Sequence, residues 1–133
     1  MENLKIQLSL AISGREAEAR KEAAELTEKL RAAGYEVYNP LEMCADIEER
    51  SGNKVKGWWN CVIECCSNVI KGNVDVLLVS RTARGTNRKS IGVEIETLVA
   101  AKAKLNSYFG LNNFEVYTQG GVDITALSAL LEG

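Results

Sequence analysis

The centre of the chain reads Val74-Asp75-Val76-Leu77-Leu78-Val79-Ser80, then a basic loop over 81–89, then Ser90-Ile91-Gly92-Val93-Glu94-Ile95-Glu96. The first run is almost wholly apolar, which is typical of a parallel strand buried on both faces. The last run begins a helix with serine and glycine, which leave backbone N–H groups free for an anion such as phosphate. Glu96 follows Ser90 by six residues, about two helical turns. An anion anchor and a reactive carboxylate are therefore predicted within one strand–loop–helix unit.

Strand-like and helix-like segments alternate along the rest of the chain. We predict strands over 4–12, 35–38, 74–80 and 114–118, and helices over about 16–33, 57–71, 90–105 and 123–131. Residues 41–56 are polar without a firm period, and we interpret them as an irregular, lid-like excursion. The alternation predicts a parallel α/β sheet with helices on both faces. Ligands of such sheets bind at the carboxyl ends of the strands.

Length and composition favour a single domain over residues 1–133. The chain is 46% apolar and 26% charged, an ordinary globular balance. Its net charge of −2 argues against a protein that binds duplex nucleic acid or an anionic membrane surface. No apolar run reaches the roughly 18 residues of a membrane span, and the N-terminus does not read as a signal peptide. Because the cysteine spacing is not that of a secreted disulfide framework, we expect a cytoplasmic location.

Glu96 is the first candidate catalytic residue. On its helix it shares a side with Gly92, Ala100 and Ala103, and such small neighbours leave room beside the carboxylate for a ligand. The alternative is an ordinary solvated glutamate that lies over small residues.

Two loops carry candidate anion-binding groups. The loop over 81–89 holds Arg81, Arg84, Arg88 and Lys89, and guanidinium groups suit phosphate oxygens beside a helix N-terminus. Ser13-Gly14-Arg15 stands where the first strand passes into the first helix, another position that favours phosphate. The alternatives are a solvated basic loop and, for Ser13, a capping box with Glu16.

We expect neither an organic cofactor nor a metal. The sequence has no G-x-G-x-x-G dinucleotide fingerprint. Its four cysteines, Cys44, Cys61, Cys65 and Cys66, include no C-x-x-C, and the chain has no histidine. They are therefore interpreted as small core residues rather than zinc ligands. The lack of histidine also excludes Ser-His and Cys-His nucleophile systems.

Together these motifs resemble the nucleoside 2-deoxyribosyltransferase superfamily, which includes the 2′-deoxynucleoside 5′-monophosphate N-glycosidases. The resemblance covers roughly residues 4–105. Residues 12–15 look like the family's first loop, residues 30–40 like its first-helix exit and second strand, and residues 90–96 like its S-x-G-x-x-x-E signature. The signature is the most specific match. The fold that the resemblance implies is a three-layer, Rossmann-like (flavodoxin-like) parallel sheet of four to five strands.

The resemblance also implies a function. Glu96 would be the nucleophile in N-glycosidic bond cleavage or transfer on a (deoxy)nucleoside or its 5′-monophosphate. Ser90, with Ser13-Gly14-Arg15, would hold a 5′-phosphate, and Gly92 and Arg88 are further substrate-binding candidates. By the same resemblance the partner is a nucleoside or nucleotide, and the protein is a homo-oligomer.

One position departs from the family. An aspartate on the second helix usually assists the leaving base, but the corresponding place falls near Ser67. The same polar row of that helix offers Glu64 as a catalytic acid and Asn60 as a substrate-binding residue. If no acid fills the role, the alternative is a non-catalytic nucleotide-binding protein on the same fold.

Overall fold

The structure is a computed structural model, and it describes residues 4–10, 16–42, 54–81 and 91–132. Its strands are β1 (Lys5–Ser9), β2 (Glu36–Tyr38), β3 (Val76–Ser80), β4 (Ser107–Gly110) and β5 (Phe114–Thr118). Its helices are α1 (Glu16–Ala32), α2 (Lys54–Ile70), α3 (Ile91–Lys102) and α4 (Thr125–Glu132). The predicted α/β class is confirmed.

The strands form one sheet in the order β2-β1-β3-β5-β4. β1 is parallel to both β2 and β3, as the sequence predicted. β5, however, is antiparallel to both β3 and β4. The sheet is therefore mixed, and the prediction of a wholly parallel sheet is wrong for the strands that follow α3.

The antiparallel part of the sheet follows from a short strand that the sequence analysis missed. β4 runs over 107–110 and is joined to β5 by residues 111–113, where the Leu111 N–H donates to the Phe114 carbonyl at 2.8 Å. A connection this short joins antiparallel neighbours, since a parallel pair needs a long crossover. Asn112-Asn113 after two aromatic residues was the available sequence signal for a hairpin.

Helix bounds differ most around the predicted excursion. Residues 40–42 are helical, and α2 begins at Lys54 rather than at 57. Both ends of the segment over 41–56 are therefore more regular than predicted, while residues 43–53 lie outside the described ranges. None of the helices in those ranges combines the length and the apolar character needed to cross a bilayer.

Two buried apolar clusters lie on opposite faces of the sheet. One joins α1 and α4 to side chains such as Leu8 and Leu78. The other joins α2 and α3 to side chains such as Leu77 and Val79. Successive strand residues point to opposite faces, so adjacent residues of β3 contribute to different clusters. Helices cover both faces, and Glu96 lies on the α2–α3 side.

Gly34 ends the first helical segment, as predicted. Its φ is +96°, and its N–H donates to the Arg31 carbonyl at 3.0 Å. A Cβ at this position would meet no atom within 4 Å, so a substitution is penalised by backbone conformation alone.

We expect Gly34→Ala to lower the free energy of unfolding by about 1–2 kcal/mol, the usual cost of a left-handed L-residue. Urea denaturation measures this loss. Gly34→Asn is the matched control and should lose less, because asparagine tolerates positive φ better. Equal stability of the alanine variant and the wild type would contradict the assignment.

Candidate functional site

Glu96 lies in the second turn of α3 and points into the protein. Its side chain is only 9% exposed, and Val93 and Ala100 on the same helix are buried with it. Gly92, one turn earlier on the same side, is also buried. The alternative of a solvated surface glutamate is therefore wrong. Burial of a carboxylate carries a desolvation cost, so the position of Glu96 needs an explanation.

Two buried oxygen atoms near this position, Glu96 Oε2 and Ser9 Oγ, have no hydrogen-bond partner among the described residues. Ser9 is the last residue of β1 and is 1% exposed. Its hydroxyl lies close enough to lower the pKa of Glu96, yet the two groups do not meet in ordinary hydrogen-bond geometry. The Ser9 hydroxyl is thus near the Glu96 carboxyl group without a formed hydrogen bond between them.

Burial dominates the electrostatics of Glu96. Desolvation raises the pKa of its carboxyl group from 4.5 to about 7, and the Ser9 hydroxyl opposes the rise. Among the described residues no cation is paired with this carboxylate. Both protonation states are therefore populated near neutral pH, which suits a group that must be ionised to attack and is typical of catalytic carboxyl groups.

Two cysteines of α2 lie beside Glu96. Cys65 and Cys66 are free and buried. Burial first, and then the charge of Glu96, raises the pKa of both thiols, that of Cys66 to about 11. Neutral thiols thus form part of the surroundings of the carboxyl group, and the prediction of small buried residues is confirmed for these two.

Cys61 differs from the two free cysteines. It is partly buried and disulfide-bonded, whereas the sequence analysis treated it as a simple core residue. Disulfides persist mainly in oxidising compartments. The disulfide does not favour a cytoplasmic location, which stays a prediction.

Within the described ranges no group of three or more Cys, Asp or Glu side chains is arranged to hold a metal ion.

Gln7 fixes β1 against α2 next to this site. Its Nε2 donates to the Cys65 carbonyl at 2.9 Å, and its Oε1 accepts from Asn68 Nδ2 at 3.1 Å. Ser9 is two residues further along the strand and shares this face. The sequence analysis missed both polar residues of β1. Their signal was a polar side chain at alternate positions between Ile6, Leu8 and Leu10.

The other predicted site residues fall into two groups. Ser13, Gly14, Arg15, Arg88 and Ser90 lie outside the described residues. Glu64 and Asn60 lie on α2 with exposed side chains. The structure thus brings Gly92 and Glu96 together, while the Glu64 side chain faces solvent beside Cys65. The role of Glu64 as an acid stays a prediction.

Arg81, the first residue after β3, is engaged by acidic neighbours. Its Nη1 lies 3.7 Å from Glu94 Oε1, and its Nε is paired with Glu115 of β5. Tyr108 donates a hydrogen bond to the same Glu115 carboxylate at 3.3 Å. Arg81 therefore anchors the ends of β3, α3 and β5, and it would have to leave these partners to bind a phosphate.

An open cavity of about 880 Å³ lies away from Glu96. Its described lining comes from α1 and the turn after β2, and it includes Arg20, Thr27, Arg31 and Glu42. The Arg31–Glu42 ion pair, with nitrogen and oxygen 2.8 Å apart, is part of this lining. This cavity is on the α1 side of the sheet, so it does not serve the buried carboxylate.

Comparison of the chain with models of known families, with curated proteins and with solved structures finds no match. The resemblance of residues 90–96 to a glycosidase signature therefore remains an interpretation of sequence. The functional assignment depends on that motif and on the surroundings of Glu96.

Proposed function

We propose that the chain is an N-glycosidase or deoxyribosyltransferase that acts on a (deoxy)nucleoside or its 5′-monophosphate. The observation that carries the proposal is the buried Glu96 carboxyl group, with one oxygen unpartnered and a pKa raised to about 7. The S-x-G-x-x-x-E pattern over 90–96 supports it. A carboxylate held out of water next to a predicted phosphate anchor suits attack on a sugar.

In the proposed reaction the Glu96 carboxylate attacks the anomeric carbon of the sugar. The C–N glycosidic bond breaks, and the base leaves with the bonding electron pair and takes up a proton. Water or a second base then displaces the carboxylate from the glycosyl ester. The transition states resemble an oxocarbenium ion, and a negative charge in apolar surroundings stabilises that positive charge strongly.

The leaving base also needs a proton donor, and Glu64 is the residue proposed for that role. Glu64, with Asn60 one turn earlier, lies on the exposed row of α2. From there its carboxyl group would have to approach a bound base from the solvent side. Ser90, Arg88 and Ser13-Gly14-Arg15 complete the proposed site as phosphate ligands.

Incubation with each deoxynucleoside and each deoxynucleoside monophosphate tests the function. Chromatography should reveal a free base from at least one of them. Addition of a second free base distinguishes the two reactions, because a transferase forms a new nucleoside whereas a hydrolase releases free sugar. No base from any substrate would end this proposal.

A second candidate function is nucleotide binding without cleavage. It is favoured by the exposed position of Glu64 and by the lack of a second acid beside Glu96 among the described residues. Calorimetry against the same nucleotides tests it. Binding tighter than about 1 mM, or about −4 kcal/mol, without base release would support it, and no binding at all would count against both candidates.

We also propose a homo-oligomer. Three large apolar side chains are exposed on α2 and α3, namely Ile63 at 60%, Ile70 at 66% and Leu98 at 67%. The two helices pack against each other, and exposed apolar side chains on neighbouring helices suit a symmetric contact with a second copy.

The double substitution Ile63→Asp with Leu98→Asp is expected to convert such an oligomer to monomer in sedimentation velocity, because it buries charge in the contact. Phe109→Ser, on the edge strand β4 and 40% exposed, is the control and should leave the oligomer intact. A wild-type chain that sediments as a monomer at high concentration would remove this proposal.

A further inference from the structure

The polar side chains Gln7 and Ser9 of β1 face the helices α2 and α3, and they differ in their hydrogen bonds. Gln7 uses both ends of its amide group. Ser9 is equally buried, yet none of the residues that the structure describes is a partner of its hydroxyl. A buried hydroxyl without a hydrogen bond loses its bonds to water and gains none, so the position of Ser9 needs an explanation.

The nearby carboxyl group of Glu96 supplies that reason. Its Oε2 is also buried and unpartnered, and Ser9 is the hydroxyl that acts on it. An ionised carboxylate only accepts hydrogen bonds, whereas a serine hydroxyl has one proton to donate. A hydroxyl can also bond a protonated carboxyl group, but the bond that it donates to the charged form is charge-assisted and therefore stronger. Catalytic hydrogen bonds are often long without substrate and shorten in the complex.

We propose that Ser9 is a positioning residue for Glu96: its hydroxyl donates to the ionised carboxylate and holds the other oxygen toward the anomeric carbon. The inference rests on the proposed function. Ser9 acts through Glu96 and need not contact the substrate. Its bond also favours the charged form of the carboxyl group against the desolvation that opposes it. The hydrogen bond from Gln7 to the Cys65 carbonyl of α2 holds β1 in place for this contact.

Ser9→Ala tests the inference in the active protein. The acidic limb of the pH profile of kcat/KM should move up by about one pH unit, since the charged form of Glu96 loses the hydrogen bond that favours it. At a pH below the limb, kcat should fall about tenfold while KM changes little. Ser9→Thr, which keeps the hydroxyl, should restore the profile.

Thr27→Ala is the matched control. Thr27, on α1, has the other hydroxyl that is buried with no partner among the described residues, and it lies on the opposite face of the sheet from Ser9. Its loss should leave the pH profile unchanged. Thermal unfolding of all three variants shows whether each remains folded.

A measurement without substrate separates this inference from the proposed function. NMR of protein labelled with ¹³C in its glutamate carboxyl groups gives the pKa of Glu96, and the signal is assigned by its loss in Glu96→Gln. In Ser9→Ala that pKa should rise by about one unit. An unchanged pKa in a folded variant overturns the inference. A raised pKa without base release from any substrate keeps the Ser9–Glu96 bond and rejects the glycosidase.

Discussion

Glu96→Gln is expected to lower kcat for base release by about a thousandfold or more, the scale on which loss of a catalytic nucleophile acts. Glutamine keeps the size of the side chain but removes its charge. The amide neither forms the glycosyl ester nor stabilises an oxocarbenium ion. Substrate binding should change less than kcat, because the proposed phosphate ligands are other residues. Single-turnover assays with the best substrate measure the effect.

Glu94→Gln is the control for this experiment. Glu94 lies on the same helix, two residues earlier, with its side chain partly exposed and 3.7 Å from Arg81. It should retain most of the activity. Base release by Glu96→Gln within tenfold of the wild type would remove Glu96 from the reaction.

The substitution Glu96→Gln is also expected to change how the free energy of unfolding depends on pH. The pKa of Glu96 is about 7 in the folded protein against an ordinary value of 4.5, so the folded state holds this proton more tightly than the unfolded state does. The stabilisation that results is fully present below pH 4.5 and is lost as pH rises through 7. The difference corresponds to about 3 kcal/mol.

Urea denaturation from pH 4 to pH 8 measures this effect. The wild type should lose about 3 kcal/mol relative to Glu96→Gln over that range, because the variant has no carboxyl group to ionise. The burial of an amide shifts the variant curve at every pH, so the change of the difference with pH is the diagnostic quantity. Parallel curves would mean that Glu96 ionises without cost.

The predictable part of the fold lies in its long periodic segments. The apolar run before Ser80 and the glycine at position 34 predicted β3 and the end of the first helical segment. β4 escaped prediction because four residues give too little alternation, and its partner β5 then looked like a parallel strand. The direction of a strand depends on the length of the connection before it. Because β4 was missed, the connection that leads into β5 was judged too long.

The candidate site also has residues that could be predicted from the sequence and residues that could not. Glu96 was found because its helix carries a spaced motif. Ser9 and Gln7 were missed because a polar residue in a strand reads as a solvent-facing position, and their burial depends on α2 and α3 covering that face. Glu64 and Cys65 are adjacent in sequence, yet one is exposed and the other buried. Helical periodicity predicts the side of the helix on which a residue lies, but not whether another element covers that side.

The ion pairs of Arg81 have a consequence for protein engineering. Arg81, which precedes residues 82–90 in the sequence, pairs with Glu94 in the first turn of α3, which follows them, and with Glu115 of β5. A different insert grafted between those clamped ends should therefore leave the helix start, and the carboxylate it carries, where they are. The sequence of 82–90 could then be redesigned without moving Glu96.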